Sequence, residues 1–164
     1  GTMSSESNEK KILVGGNGGS CADAEHFTGE LQCTYKKSDR SAISAINIGG
    51  MPSSITAWAN DFGFETYFER QVKALGKPND ILFCISTGGG NEEQNISMNV
   101  VHAAKYAKKN NMKVISLIGK SGGELKKISD ISFVAKSNET SHVQETHIVI
   151  LHMLCEKIDL EYGE

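Results

Sequence analysis

The chain has 164 residues, 38% of them hydrophobic, which is the size and apolar content of one domain built around a single ordinary core. Its 17 basic and 20 acidic residues nearly cancel, with no lysine-rich stripe and no acidic tail, so neither nucleic acid nor a membrane surface is suggested as a partner; a small anionic substrate stays open. No apolar run approaches ~20 residues, no signal-peptide pattern occurs, and Cys21, Cys33, Cys84 and Cys155 form no CxxC pair, so the expectation is a reduced, cytoplasmic protein without disulfides or a zinc ribbon.

Residues 1–3 read as a cloning remnant and 1–10 as a lead, with a single domain over 11–164. In chain order, a strand is predicted at 11–14, a glycine-rich turn and a helix over 20–33, and a second strand at 42–48. Helical spacing over 52–75, in two pieces, follows Met51 with Pro52 at its start. Then come a strand at 80–85, a helix over 92–110, a strand at 113–118, a short helix at 122–128, a strand at 131–135 and a long last helix over 141–160. Strand and helix alternate throughout, which predicts an α/β three-layer sandwich: a five-stranded parallel sheet flanked by helices. The aromatics of 60–68, "NDFGFETYF", read mostly as core, with Asn60 and Asp61 as polar exceptions facing a crevice.

Two turns carry the first chemical signal. In "GGNGGS" the glycines Gly15, Gly16, Gly18 and Gly19 end a strand and open a helix, where backbone N–H groups and the helix dipole converge on an anion. A dinucleotide fingerprint starting at Gly16 requires glycine where Cys21 stands, and "GKS" at 119–121 lacks the earlier glycine of a Walker loop, whose place is taken by Val114. "CISTGGGN" repeats the strand, turn and helix pattern with the hydroxyls of Ser86 and Thr87. With no Lys or Arg beside it in sequence, this turn suits a phosphate monoester held by neutral donors, and so a phosphosugar rather than a nucleotide. The alternative is a pair of tight turns with no ligand.

His26 and Glu30 lie one helical turn apart on one face of the first helix. Gln144 and His152, eight residues apart on the last helix, differ by about 80° and share a face with Ile148. Together the four could surround a zinc-class cation; equally, His26 and Glu30 could be an exposed pair and the others scattered polar positions. His147 points about 140° from His152 and reads as structural or solvated, as do His102 and His142.

"GNGGS-x-x-DA-x-HF-x-x-EL", "ANDFGF", "IST", "GK-x-GG" and "QE-x-H-x-x-x-x-H" occur in this order from Lys11 onward. Together they resemble the phosphoheptose isomerases of the sugar isomerase (SIS) domain family. The resemblance implies the SIS fold, a homotetramer with active sites between subunits, and conversion of sedoheptulose 7-phosphate to D-glycero-D-manno-heptose 7-phosphate in heptose biosynthesis. It places Asn17, Gly18, Gly19 and Ser20 in the substrate cradle, Ser86 and Thr87 on the phosphate, and Asn60 and Asp61 on the sugar. His26, Glu30, Gln144 and His152 match the positions that bind one Zn2+ per subunit, Gln144 and Glu30 also facing substrate. Glu30 and His152 match the acid/base pair, Glu30 moving a proton between carbons 1 and 2 through an enediol while His152 serves the oxygens.

Three features depart from the family pattern. Gly88 replaces its serine after Ser-Thr, and the loop to Asn99 is longer, leaving Ser97 as the counterpart of the last phosphate-binding serine. Thr34 replaces an arginine, and residues 4–10 stand where the family has a longer helix. The alternative function is a non-catalytic SIS protein, a phosphosugar-binding or replication-initiator-binding regulator, which needs the cradle but not the catalytic pair.

Overall fold

The β-branched runs form strands where the hydrophobic pattern puts them. The computed structural model describes residues 10–163 and contains β1 (Ile12–Gly16), β2 (Ala45–Asn47), β3 (Ile81–Ile85), β4 (Lys113–Gly119) and β5 (Ile131–Ala135). All pair in parallel, in the order β2-β1-β3-β4-β5. The chain thus steps outward from β1 to β2, then restarts on the other side of β1 with β3. Ligands of open parallel sheets bind where the direction reverses, outside the carboxyl ends of the strands. Here that crevice lies between β1 and β3, whose register runs from Ile12 opposite Ile81 to Gly16 opposite Ile85. Both glycine turns therefore leave the sheet at the same level.

Alternation along the strands divides the core in two. Leu13, Leu82, Cys84, Val114 and Ile118 face one side, where α3 (Tyr67–Leu75), α4 (Met98–Lys109) and α5 (Gly123–Ile128) contribute Tyr67, Val72, Val101, Ala104 and Leu125. Val14, Phe83, Ile85 and Leu117 face the other, covered by Ala24, Phe27 and Leu31 of α1 (Gly19–Gln32) and Leu151 and Cys155 of α6 (Thr140–Tyr162). Each fully buried Leu, Ile or Phe contributes about 1.5–3 kcal/mol of transfer free energy, so a parallel sheet covered on both faces is the arrangement these runs stabilise.

Three expectations change. The predicted strand at 42–48 shortens to Ala45–Asn47, an edge strand paired with β1 on one side only. The predicted helix over 92–110 starts at Met98, because Asn91 and Ile96 exchange two backbone hydrogen bonds of 2.9 Å and Asn95 and Ser97 both take left-handed backbone, φ 53°, which no α-helix continues. The aromatics after α2 (Pro52–Asp61) are split: Tyr67 and Phe68 are buried, but Phe62 is 67% exposed and Phe64 43%. Gly63, at φ 100°, turns the chain between them and divides the 52–75 segment into α2 and α3.

Candidate active site

The cradle begins where β1 ends. A Cβ at Gly16 would stand 2.6 Å from the Ile85 carbonyl oxygen and 2.8 Å from Cβ of Ser20, so only glycine lets the turn pass this close to β3. Gly18 precedes α1 with φ 55° and ψ −123°, and Ser20, buried behind it, donates its N–H to the Asn17 carbonyl at 2.9 Å. The N–H groups of Cys21 and Ala22 bond the Gly18 carbonyl at 3.0 and 3.1 Å. The backbone N–H groups of Ser20, Cys21 and Ala22 are thus taken up within the turn itself.

Asn17 is held from across the crevice. Its Nδ2 donates to Oδ1 of Asn99 at 3.0 Å, and Nδ2 of Asn99 donates back to Oδ1 of Asn17 at 2.8 Å. Ser97, just before α4, joins Asn17, Asn99, Phe64 and Glu65 around a cavity of about 270 Å³. The structure thus brings Asn17 and Ser97 to one cavity. Asn60 and Asp61 are not among its walls: both are exposed at the end of α2, where Nδ2 of Asn60 bonds Oδ1 of Asp61 at 2.9 Å.

In the second turn the buried Ser86 accepts the Gly89 N–H on Oγ at 3.1 Å, which leaves its hydroxyl proton to donate outward. Thr87 is half-buried beside it. Gly89, at φ 72°, lies so close to the next turn that a Cβ would stand 1.9 Å from the Gly122 carbonyl oxygen. The first N–H groups of α5 are used here: Glu124 donates to Gly90 at 3.1 Å and Leu125 to Gly89 at 2.9 Å. "GKSGG" thus clasps the second turn from behind. A second cavity, about 530 Å³, opens between this turn and α5, and its walls include Gly88, Asn91, Gln94, Lys120 and Lys127. Lysines absent from the local sequence are supplied by the loop after β4 (Lys120) and by α5 (Lys127).

The ionisable cluster lies on the α1–α6 flank. The two helices run side by side: at one level a Cβ on Gly19 would meet Nε2 of Gln144 at 2.5 Å, and two turns further along His26 meets His152. Nε2 of His26 lies 3.3 Å from Oε1 of Glu30, and the His26 and His152 rings meet edge to face, centroids 5.3 Å apart at 78°. His26, Glu30 and His152 are therefore together, while Gln144, about 12 Å up the helix axis from His152, has its amide on the cradle. The donor chemistry, two imidazoles and a carboxylate, fits zinc. Among the described residues, however, no three His, Cys, Asp or Glu side chains already surround a common point, so side chains must turn before a cation could be held.

Beneath the cluster, His147 is fully buried, with Nε2 2.9 Å from the Ile118 carbonyl oxygen, which assigns the proton to Nε2. Its Nδ1 and Oδ2 of Asp23 are buried without hydrogen-bond partners among the described residues. Burial lowers the His147 pKa against the Ile118 bond and Asp23; burial raises that of Asp23 against His147 and His26. Burial also pushes the Cys155 thiol up to about 11 and Cys84 to about 12, which keeps both protonated and inert. His102 is half-buried and His142 exposed.

A five-stranded parallel sheet with two glycine turns at its reversal point, and His26, Glu30 and His152 on one flank, points to the sugar isomerase class. The SIS domain family matches residues 2–119, and the chain belongs to it. Relatives in the family include phosphoheptose isomerases. That of Helicobacter pylori (strain ATCC 700392 / 26695) is 44% identical over 156 residues, 95% of this chain and 78% of the relative. That of Campylobacter jejuni subsp. jejuni serotype O:6 is 48% identical over 149 residues, 91% and 76%. The structure of a phosphoheptose isomerase from Francisella tularensis superposes with a TM-score of 0.85 at 39% identity, covering 93% of this chain and 78% of the other.

Proposed function

We infer that the protein is an aldose–ketose isomerase that converts sedoheptulose 7-phosphate to D-glycero-D-manno-heptose 7-phosphate, the step phosphoheptose isomerases contribute to heptose biosynthesis. The observation that carries this reading is that Glu30 of α1 and His152 of α6 both approach His26. In the open-chain sugar the phosphate and the reacting carbons lie at opposite ends, so an anion cradle and an acid/base pair set apart are what such a substrate needs. Gly19 and His26 are about 10 Å apart along α1.

Glu30 removes a proton from carbon 1 of the ketose and returns it to carbon 2. His152 donates a proton to the carbon 2 oxygen and accepts one from the carbon 1 hydroxyl, so the enediol forms and collapses without net proton change. His26, whose Nε2 lies 3.3 Å from Oε1 of Glu30, stands beside the carboxylate. Ser86 and Thr87 hold the phosphate with hydroxyl protons; Asn17 and Ser97 line the path to it, and Gln144 buttresses Gly19.

His26, Glu30 and His152 are the side chains that would hold a zinc ion, one per subunit, and such an ion, when bound, supplies polarisation of the sugar oxygens. A homotetramer with sites between subunits belongs to the same reading, supported by the exposed apolar side chains of Phe62, Phe64, Val149 and Met153. So does a cytoplasmic location; among the described residues no helix is long and apolar enough to cross a membrane.

Incubation with sedoheptulose 7-phosphate, followed by detection of the aldose phosphate, tests the function. Sustained aldose formation is expected. Binding of the sugar phosphate with no turnover would instead identify a phosphosugar-binding regulator.

A further inference from the structure

The loop from α1 to β2 carries no group assigned a role above, yet it is fastened by buried charge. Asp159, 3% exposed near the end of α6, accepts the backbone N–H of Lys36 at 2.7 Å and of Lys37 at 2.9 Å, and Nε of Arg40 at 2.8 Å. Arg40, 5% exposed, also donates to the carbonyls of Leu31 at 2.9 Å, Ser41 at 3.0 Å and Glu30, closing the end of α1. Burial alone would raise the Asp159 pKa; the two backbone donors and Arg40 together hold it below the usual carboxylate range. The buried pair thus ties the loop to the ends of both α1 and α6.

What it fixes is Tyr35. The phenol ring stacks on His152, with centroids 5.7 Å apart and planes 17° from parallel. Nζ of Lys36 lies 5.4 Å from the Tyr35 centroid and 2.9 Å from Oε1 of Glu156, one turn beyond His152. A histidine on a helix surface turns freely about χ2, whose preference is broad and roughly two-fold. At His152 two rings bear on that angle: Tyr35 stacks on one of its faces, and His26 meets it edge to face.

We infer that Tyr35 is a positioning residue for the isomerisation: its ring, set by Asp159 and Arg40 through the backbone of residues 36 and 37, fixes the plane of His152 so that the imidazole meets the sugar oxygens in one orientation. This rests on the reading of His152 as the group that serves those oxygens. Alignment of a proton donor acts on the transition state more than on ground-state binding. A side chain that only fills space would change stability and leave the two kinetic constants in step.

The test compares Tyr35→Phe, Tyr35→Leu, Asp159→Asn and His152→Gln with the parent in the intact protein. With sedoheptulose 7-phosphate, Tyr35→Leu is expected to lower kcat by about tenfold or more while KM stays within about twofold; Tyr35→Phe, which keeps the ring, retains parental kcat within about twofold. In 1H–13C spectra of the histidine rings, the resonance lost in His152→Gln is displaced upfield by the stacked ring in the parent and in Tyr35→Phe. It moves back in Tyr35→Leu, and part of the way in Asp159→Asn, which leaves Tyr35 in place but loosens its loop. Tyr35→Met replaces Tyr35→Leu if the latter does not fold. Parental kcat in Tyr35→Leu beside an inactive His152→Gln overturns the positioning role alone, as does a His152 resonance that ignores residue 35. Parental turnover in His152→Gln overturns the acid/base reading and this inference with it.

Discussion

Asn17 and Asn99, 82 positions apart, exchange both of their side-chain amide hydrogen bonds, at 3.0 and 2.8 Å, and so lock the turn after β1 to the first turn of α4. Asn99 is 5% exposed, and its Oδ1 also accepts the Val100 N–H at 2.9 Å. Replacing it leaves the Asn17 amide beside a cavity without its partner. Asn99→Ala is expected to destabilise the fold by about 1–3 kcal/mol in urea titration and to raise KM for the sugar phosphate, because both walls of the cradle shift. An unchanged denaturation midpoint would show that the amide pair is dispensable.

Glu30→Gln keeps the shape of the side chain beside His26 but removes the base. Isomerisation is expected to drop by about 10²–10⁴-fold with little change in melting temperature or in competition by inorganic phosphate. Turnover at the parental rate would remove Glu30 from the mechanism.

Thr87→Val preserves volume and deletes one hydroxyl donor from the turn in which Gly88 already supplies none. A hydrogen bond to a charged phosphate contributes about 1.5–3 kcal/mol, so KM should rise by about tenfold or more with kcat much less affected, since a remote phosphate is bound alike in ground and transition states. Steady-state kinetics decide this; an unaltered KM returns "STGGGN" to a structural turn.

His147 makes stability depend on pH. Its folded pKa is depressed by burial against the Ile118 bond and Asp23, while the unfolded chain takes up the proton near pH ~6.5. Below that value the unfolded state binds more protons, so the contribution present above pH ~6.5 is lost as pH falls toward the depressed folded value. Asp23 works with the opposite sign at lower pH: its raised pKa adds stability that is full below the unfolded value near ~3.9 and lost as pH rises through the folded one. Urea titrations at pH 7.5 and 5.5 should show the parent losing more stability on acidification than His147→Gln. Equal losses would place the titration elsewhere.

Protein purified without chelator is expected to carry zinc near one per subunit by elemental analysis, and His26→Ala to lose most of it. Zinc retained in full by His26→Ala would move the ion away from the α1–α6 flank. Full isomerase activity in metal-free protein would leave Glu30 and His152 to act without it.

Local pattern was sufficient for much of this molecule. β-branched runs alternating with helical spacing determined the α/β class, because a strand buried on both faces and an amphipathic helix have different periods that any short window displays. Residue type likewise marked the two glycine turns, since left-handed backbone and close approach to a neighbouring carbonyl exclude a Cβ. Spacing on α1 put His26 and Glu30 on one face, and they meet at 3.3 Å.

Tertiary structure decided what those pieces are next to. The reversal of strand order at β1 and β3 places the turns side by side, and crossover direction has no local signature. Gln144 and His152 share a face of α6, but eight residues of axial rise send one to Gly19 and the other to His26. The helix expected from residue 92 begins only at Met98, where the long-range contacts of Asn99 and Val101 take over from propensity. Tyr35 belongs to no motif in the sequence, and Asn99 marked only the end of a loop; a reciprocal amide pair and a stacked ring exist only once α4 faces β1 and the end of α6 draws the 33–44 loop inward through Asp159. Such contacts are long-range consequences of packing, and a sequence shows them only after it has folded.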